Sequence, residues 1–366
     1  MKLEAGLLWA TDHARRLIAA CQKTAHDGTV LFTPDGVGNY DALWIRDFGY
    51  MVEYCADLMD PDQIRGCIDY AIGGQREDGW IPDRMEAGGD AVYAAGAKGA
   101  PVGKANLDNT PFLVYAVYFY LTRLPREECR QRFLEWSAAL DKGLSVIPLS
   151  PDGMVWNDKR LPHSPYGFTD TVCKTGRLFM ESLLFWRACR QMEAMHEAFG
   201  DQDMRKLYRD HTQLIEQAVG MLYDGSSGTY LAAEDDCRQT DVWGMLYALE
   251  IGFPLPHRDD VERWLLENRQ RYLYKGQVCQ LPDGGAWDKL LIHVPAGEYQ
   301  NGAYWATASG WALRFFRRRD PHFFETMLDA LMEDFEKDGI CECVNEGYRK
   351  LPKFVVSATN VRGGLL

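Results

Sequence analysis

The stretch SPYGFTDTVCKTGRLFMESLLFW, Ser164 to Trp186, sets one carboxyl, Asp170, between an aromatic-rich turn and a nearly unbroken apolar run. Burial penalises the charged form of an acid. An aspartate in that setting keeps its proton toward neutral pH, and a protonated carboxyl is a general acid. Five more polar clusters stand just ahead of, or at the start of, an apolar run: DALWIRDFGY (41–50), KANLDNTPF (104–112), CRQTDVWG (237–244), EYQNGAYWATASGW (298–311) and CVNEGYRKLPKFVVSATN (343–360). With YGFTDTVCKTG (166–176) they make six. Together they offer carboxylates, amides and the indoles of Trp44, Trp243 and Trp305. Taken singly, Asp108, Thr110, Thr169 and Asp241 suit helix caps, and Asp170 could cap the helix that follows it. Six caps accompanied by Trp, Arg, Asn and Gln are harder to reduce to capping.

The runs behind these clusters are apolar on every side: Leu43–Ala56, Pro111–Leu121, Leu178–Cys189, Val242–Leu249 and Ala303–Leu313. A helix of that kind must be surrounded by protein. Between them lie segments with a single apolar stripe. DQIRGCIDYAIG presents Ile64, Cys67, Ile68 and Ala71 at i, i+3, i+4 and i+7, and EECRQRFLEWSAALDKGL presents Cys129, Phe133, Trp136, Leu140 and Leu144. RKLYRDHTQLIEQAVGML, VERWLLENRQRYL and PHFFETMLDALMEDF behave alike, the N-terminal segment is the first striped helix, and Phe354–Leu366 closes the series. Strict alternation of about twelve helices predicts an all-α chain, an (α/α)6 barrel of six helical hairpins with a few short β-hairpins in its loops, as one domain over residues 1–366. GTYLAA (Gly228–Ala233), after the turn DGSSG, is the best hairpin. If the inner helices run parallel, all six polar clusters share one face.

Composition narrows the partners. Hydrophobic residues are 46% and charged residues 25%, as in a globular chain with a sizeable core. Eleven Trp and eighteen Tyr are many; a large helical core accounts for most of them, and their apolar face with a polar tip also suits sugar-binding clefts. A net charge of −13 with no basic run argues against nucleic acid and anionic membrane surfaces. The longest apolar stretch, PFLVYAVYFYL, is too short for a bilayer. The first residues read as an amphipathic helix and not a signal peptide. With ten cysteines set mostly inside helical patterns, this predicts a cytoplasmic protein with free thiols. Cys341-x-Cys343 lacks a second pair at ligand spacing, so neither metal nor cofactor is expected.

On its motifs the chain resembles the six-hairpin glycosidases, in motif order the glucoamylase family and its inverting relatives, the trehalases and processing glucosidases. LWIRDFGY is similar to their Trp-x-Arg-Asp segment, which implies that Arg46 and Asp47 grip hydroxyls of the non-reducing-end sugar beside the Trp44 wall. YGFTDTVCKTG resembles the segment of the general acid and implies Asp170. YQNGAYW resembles the opening of an inner helix, with Trp305 at the aromatic position. NEGYRKLPKFVVSATN resembles the segment of the general base and implies Glu346. An aspartate acid departs from glucoamylases and agrees with the trehalase-like relatives. The resemblance implies a small α-glycoside, gluco-type favoured, cleaved with inversion. In that route one carboxylic acid protonates the leaving oxygen while a carboxylate activates water across a gap of about 6.5–9.5 Å.

Glu346 stands in polar surroundings beside Asn345, Tyr348 and Arg349. The further sugar-contacting candidates are Trp80, Asp108, Asn109, Lys174, Asp241, Trp243, Gln300 and Asn301, and Asp78 and Arg84 could join them. Asp158 rivals Asp170 as acid, and Glu298 rivals Glu346 as base. Three other classes stay open. A sugar epimerase or isomerase on this barrel would use histidine pairs, yet His163, His211, His257 and His293 lie outside the inner-helix openings. An inverting phosphorylase needs a cationic cradle, for which Lys174 and Arg177 are candidates. A carbohydrate-binding scaffold would keep the tryptophans without needing either carboxyl. Arg160, Arg349 or Lys174 could hold a charged leaving group.

Overall fold

A computed structural model describes residues 2–97 and 100–366. Its helices, in chain order, are α1 (Lys2–Ala20), α2 (Ile45–Cys55), α3 (Pro61–Gly73), α4 (Asn109–Leu121), α5 (Arg126–Ser145), α6 (Phe179–Phe199), α7 (Gln202–Ala218), α8 (Val242–Glu250), α9 (Arg258–Glu267), its one-turn continuation α10 (Arg269–Tyr272), α11 (Ser309–Arg319), α12 (Pro321–Asp338) and α13 (Val355–Leu365). The two helix classes separate as their patterns require. α1 buries only the stripe Gly6, Ala10, Ala14, Leu17 and Ile18, whereas all of α13 and nearly all of α2, α4 and α8 are buried.

The all-apolar helices form a closed ring. α2 packs on α4, α4 on α6, α6 on α8, α8 on α11, α11 on α13, and α13 returns to α2. Striped helices coat the ring, with α1 against α13, α5 against α4 and α6, α7 against α6 and α12 against α11. Ring closure needs small residues at one seam. A Cβ on Gly310 of α11 would stand 2.0 Å from the Asn360 carbonyl oxygen of α13, and one on Gly364 would stand 2.2 Å from that of Gly310. This is the six-hairpin toroid that the alternation predicts.

Each described strand lies in a connection that leads into a helix of the inner ring. A five-stranded antiparallel sheet runs in the order Leu273–Tyr274, Gln277–Cys279, Tyr304–Trp305, Cys341–Asn345 and Tyr348–Pro352, and a three-stranded sheet joins Ala42–Trp44, Arg84–Glu86 and Ala91–Val92. Thr229–Tyr230 pairs with Tyr223–Asp224 around the DGSSG turn. Two expectations are corrected here. Leu43 and Trp44 belong to a strand and not to the helix expected over Leu43–Ala56, and Tyr304–Trp305 likewise precede α11 as a strand. Each pairs with a segment distant in sequence, Arg84–Glu86 and Cys341–Asn345, and such pairing overrides local periodicity. Among the described residues no helix is long and apolar enough to cross a membrane, and all ten cysteines carry free thiols.

Candidate active site

The loops that enter α2, α6, α11 and α13 converge on a narrow chamber of about 40 Å³. The entry to α2 supplies Pro34, Tyr40, Trp44, Arg46 and Asp47; the loop before α6 supplies Gly167, Phe168 and Asp170; the loop before α11 supplies Tyr299; and the last segment supplies Glu342 and Phe354. Tyr40, Trp44 and Asp170 also border a wider vestibule of about 590 Å³, whose walls include Lys23, Asn39, Asp41, Arg84, Glu86 and Ile292. Asp170 therefore stands at the junction of the two spaces, where a bond between a seated unit and its leaving group would lie.

Asp170 follows a 3-10 turn, Gly167–Thr169, and is no cap, since α6 begins nine residues later with Leu178 at its N-cap position. Burial pushes its carboxyl up to about 7, Arg46 opposes that rise, and Asp83 and Asp108 add to it. Two glutamines hold the loop in place. Gln300 Oε1 accepts from the Thr171 amide (2.9 Å) and hydroxyl (2.8 Å), and its Nε2 donates to the Gly167 carbonyl (2.9 Å). Gln280 Nε2 donates to the Phe168 carbonyl (2.6 Å).

Arg46 is buried among carboxylates. Its Nε donates to Asp108 Oδ2 (3.2 Å) and its Nη2 to Asp83 Oδ1. Asp108 Oδ2 also accepts from the Gly167 amide (2.8 Å), while Asp83 is shared with Arg84 (3.1 Å) and Asn106 (2.9 Å). Gly167 makes room for this arrangement, because a Cβ there would fall 1.5 Å from Arg46 Nε. Beside it, burial drives the Asp47 carboxyl up to about 8 against the pull of Arg46. Asp47 Oδ1 and the Trp44 indole nitrogen are buried in the chamber wall with no hydrogen-bond partner in the protein. Buried polar atoms are almost always paired, so two orphans on one cavity mark a place for ligand hydroxyls.

The second carboxyl corrects the sequence reading. Glu346 is exposed in the turn between strands Cys341–Asn345 and Tyr348–Pro352, with its backbone amide donating to Asn345 Oδ1 (2.8 Å), and it borders neither chamber nor vestibule. Glu342, four residues earlier on the same hairpin, faces the chamber and is 2% exposed. Its Oε1 accepts from the Tyr40 hydroxyl (2.9 Å), and Lys350 Nζ stands 3.3 Å from its Oε2. Burial raises its carboxyl above the usual range, against the pull of Lys350. Tyr299, on the facing loop, holds φ at +43°, a region bulky residues avoid and one that strained functional sites retain.

Of the remaining candidates, none lines the chamber. Asp108 acts behind it, through Arg46. Gln300 is the loop clamp, and Asn301 braces Trp287 and Val294 through its side chain. Asn109 ties Ile81 to Tyr93 by their carbonyls, and Trp80 stacks on His163. Asp241 caps α8 through the Gly244 amide (2.8 Å). Trp243 and Trp305 are buried and donate to the carbonyls of Val278 and Tyr299. Lys174 forms a fully buried pair with Glu181 (2.6 Å), and Arg177 is held between Asp152 and Glu234. Asp158 pairs with Arg160, Asp78 pairs with Arg76, and Glu298 bridges to Asn301 in a turn. Arg349 pairs with Asp334 and Asp338. Arg84 reaches the vestibule, its guanidinium 4.7 Å from the Trp44 ring.

Of the residues that line the chamber, sequence reasoning did not single out Tyr40, Tyr299, Glu342 and Phe354. One signal pointed to Glu342. In Cys341-Glu-Cys-Val344 a lone carboxyl interrupts a short apolar run that reads as a strand buried on both faces.

Comparison with solved structures supports the architecture. The GH63 mannosylglycerate hydrolase of Thermus thermophilus, in complex with glucose, superposes with a TM-score of 0.67 at 16% identity, covering 96% of this chain and 98% of that one. The glucoamylase of Saccharomycopsis fibuligera gives 0.65 at 13% identity over 99% and 94%. A rhamnosidase from Klebsiella oxytoca with rhamnose bound gives 0.68 at 14% identity, covering 98% of this chain and 63% of its own. The shared fold is the six-hairpin toroid. No family model matches the sequence, and no curated protein matches it.

Proposed function

We propose that this protein is a glycoside hydrolase that removes the non-reducing-end unit of a small α-glycoside, gluco-type favoured, with inversion of the anomeric centre. The observation that carries the reading is the pair of carboxyls, Asp170 and Glu342, on one chamber whose walls also hold orphaned polar atoms. Asp170 is the general acid. At the mouth, protonated up to about pH 7, it meets the oxygen linking a seated sugar to a group in the vestibule. Glu342 is the general base. Tyr40 fixes its Oε1, and its Oε2, which faces Lys350, takes the proton of the attacking water through its remaining lone pair. Trp44 and Phe168 give the ring apolar walls, and Asp47 receives a hydroxyl. Similarity to a mannosylglycerate hydrolase, a glucoamylase and a rhamnosidase supports hydrolysis of a glycosidic bond and leaves several sugars to try. The phosphorylase reading loses its cradle, since Lys174 and Arg177 are already neutralised by carboxylates.

The test is a panel of 4-nitrophenyl α-glycosides and α-glycosyl fluorides, with the first-formed anomer read by proton NMR. The β-hemiacetal is expected as the initial product. An α-hemiacetal would reject inversion, and turnover only with added phosphate would replace hydrolysis by phosphorolysis.

A further inference from the structure

We propose that Lys350 is a positioning residue for the general base, holding the Glu342 carboxylate charged and the Tyr40 hydroxyl aimed at it. The inference rests on the hydrolase reading above and concerns a residue that reading does not use. Lys350 lies on the strand Tyr348–Pro352, antiparallel to the one that carries Glu342. Its Nζ stands 3.3 Å from Glu342 Oε2, 3.3 Å from the Tyr40 hydroxyl oxygen and 3.1 Å above the centre of the Tyr299 ring. One ammonium thus touches three of the groups around the chamber floor.

The direction of each contact follows from chemistry. An ammonium only donates. Tyr40 must therefore accept from Lys350, which leaves its own proton for Glu342 Oε1 at 2.9 Å, with Tyr299 more distant at 3.5 Å. Lys350 Nζ also donates toward Glu342 Oε2, and a carboxylate oxygen that accepts one such contact still has a second lone pair for water. The need for a cation is electrostatic. Acting on Glu342 are Tyr40 and Asp35 from the loop before α2, Asp47 from α2, Tyr299 from the loop before α11, Cys343 on its own strand and Tyr348 on the paired strand. Apart from Lys350 these are acids or neutral groups, and Arg46 is already engaged by Asp83 and Asp108. Burial and the neighbouring acids favour a protonated Glu342, and Lys350 is the charge that opposes them. A base must start unprotonated, so the acidic limb of the pH profile reports its state.

The experiment compares wild type, Lys350→Met, Lys350→Gln and Lys350→Arg, each with kcat measured from pH 4 to 9 on the best glycosyl fluoride and melting followed in parallel. Removing a nearby opposite charge should raise the acidic limb by about one pH unit or more in K350M and K350Q. K350R should restore it; a glycosyl fluoride departs with little help from the acid, so on this substrate the acidic limb reports the base. A loss of kcat that is equal at every pH, or an unmoved acidic limb in a folded K350M or K350Q, overturns the role of Lys350. If K350M does not fold, K350Q and K350R decide between the same outcomes. Failure of the hydrolase reading is separately visible: wild type would hydrolyse no member of the panel, or Glu342→Gln would keep the wild-type rate.

Discussion

Asp170 and Glu342 share a chamber, and burial raises both carboxyls, each against one cation, Arg46 for Asp170 and Lys350 for Glu342. Asp170 has Arg46 against it with Asp83 and Asp108 on its side, so its proton is retained to about pH 7. With Asp170 as the proposed general acid the protonated form is the active one, so kcat is expected to fall as pH rises through about 7. Asp170→Asn should lower kcat by about 10²–10⁴-fold on substrates with a poor leaving group. On a glycosyl fluoride, which departs with little help from an acid, the loss should be far smaller; equal losses on both substrates would remove Asp170 from that role. Asp170, Trp44, Arg46 and Asp47 were legible in the sequence because each stands in a polar cluster at the entry to an all-apolar helix. Glu342 was not. It sits on a strand between two cysteines, whereas the conspicuous polar motif four residues later forms an exposed turn.

At the scale of elements, residues that looked like sugar ligands hold the loops that carry the site. Gln300 binds both ends of the turn before Asp170, through the Thr171 amide and hydroxyl and the Gly167 carbonyl. Gln300→Ala should leave these buried groups unpaired at about 1–3 kcal/mol. A lowered melting temperature is expected, with a kcat defect larger than any change in KM; unchanged kcat in a folded Q300A would show that the loop keeps its shape without the clamp. Gly167→Ala is expected to be worse, since the new methyl would occupy the position of Arg46 Nε. Its melting temperature should drop and Asp108 should lose its partner. Amides that bind a sugar and amides that brace a loop have the same local sequence. Only the partner distinguishes them, and for Gln300 that partner lies more than 120 residues away.

For the whole molecule, the alternation of striped and all-apolar helices was enough to read the ring, because a fully apolar helix has no stable place except inside another layer. The five-stranded sheet escaped notice, as its strands are two to five residues long and drawn from an eighty-residue span. The ring also pays for its chamber in stability. Folding raises Asp47 from 3.8 to about 8, so its neutral form is the one the fold favours. That contribution is complete below about pH 3.8 and is lost as pH rises through about 8. Asp47→Asn should therefore melt above wild type at pH 9 and match it near pH 4, by calorimetry; the opposite order would mean that Asp47 is stabilised as a carboxylate. The claim on which all else depends is that Glu342, and not its exposed neighbour, completes the catalytic pair. Its most direct measurement is kcat for Glu342→Gln and Glu346→Gln side by side on one substrate at pH 6. A loss of at least about 10²-fold in E342Q with E346Q within twofold of wild type is expected. An inactive E346Q beside an active E342Q would contradict it.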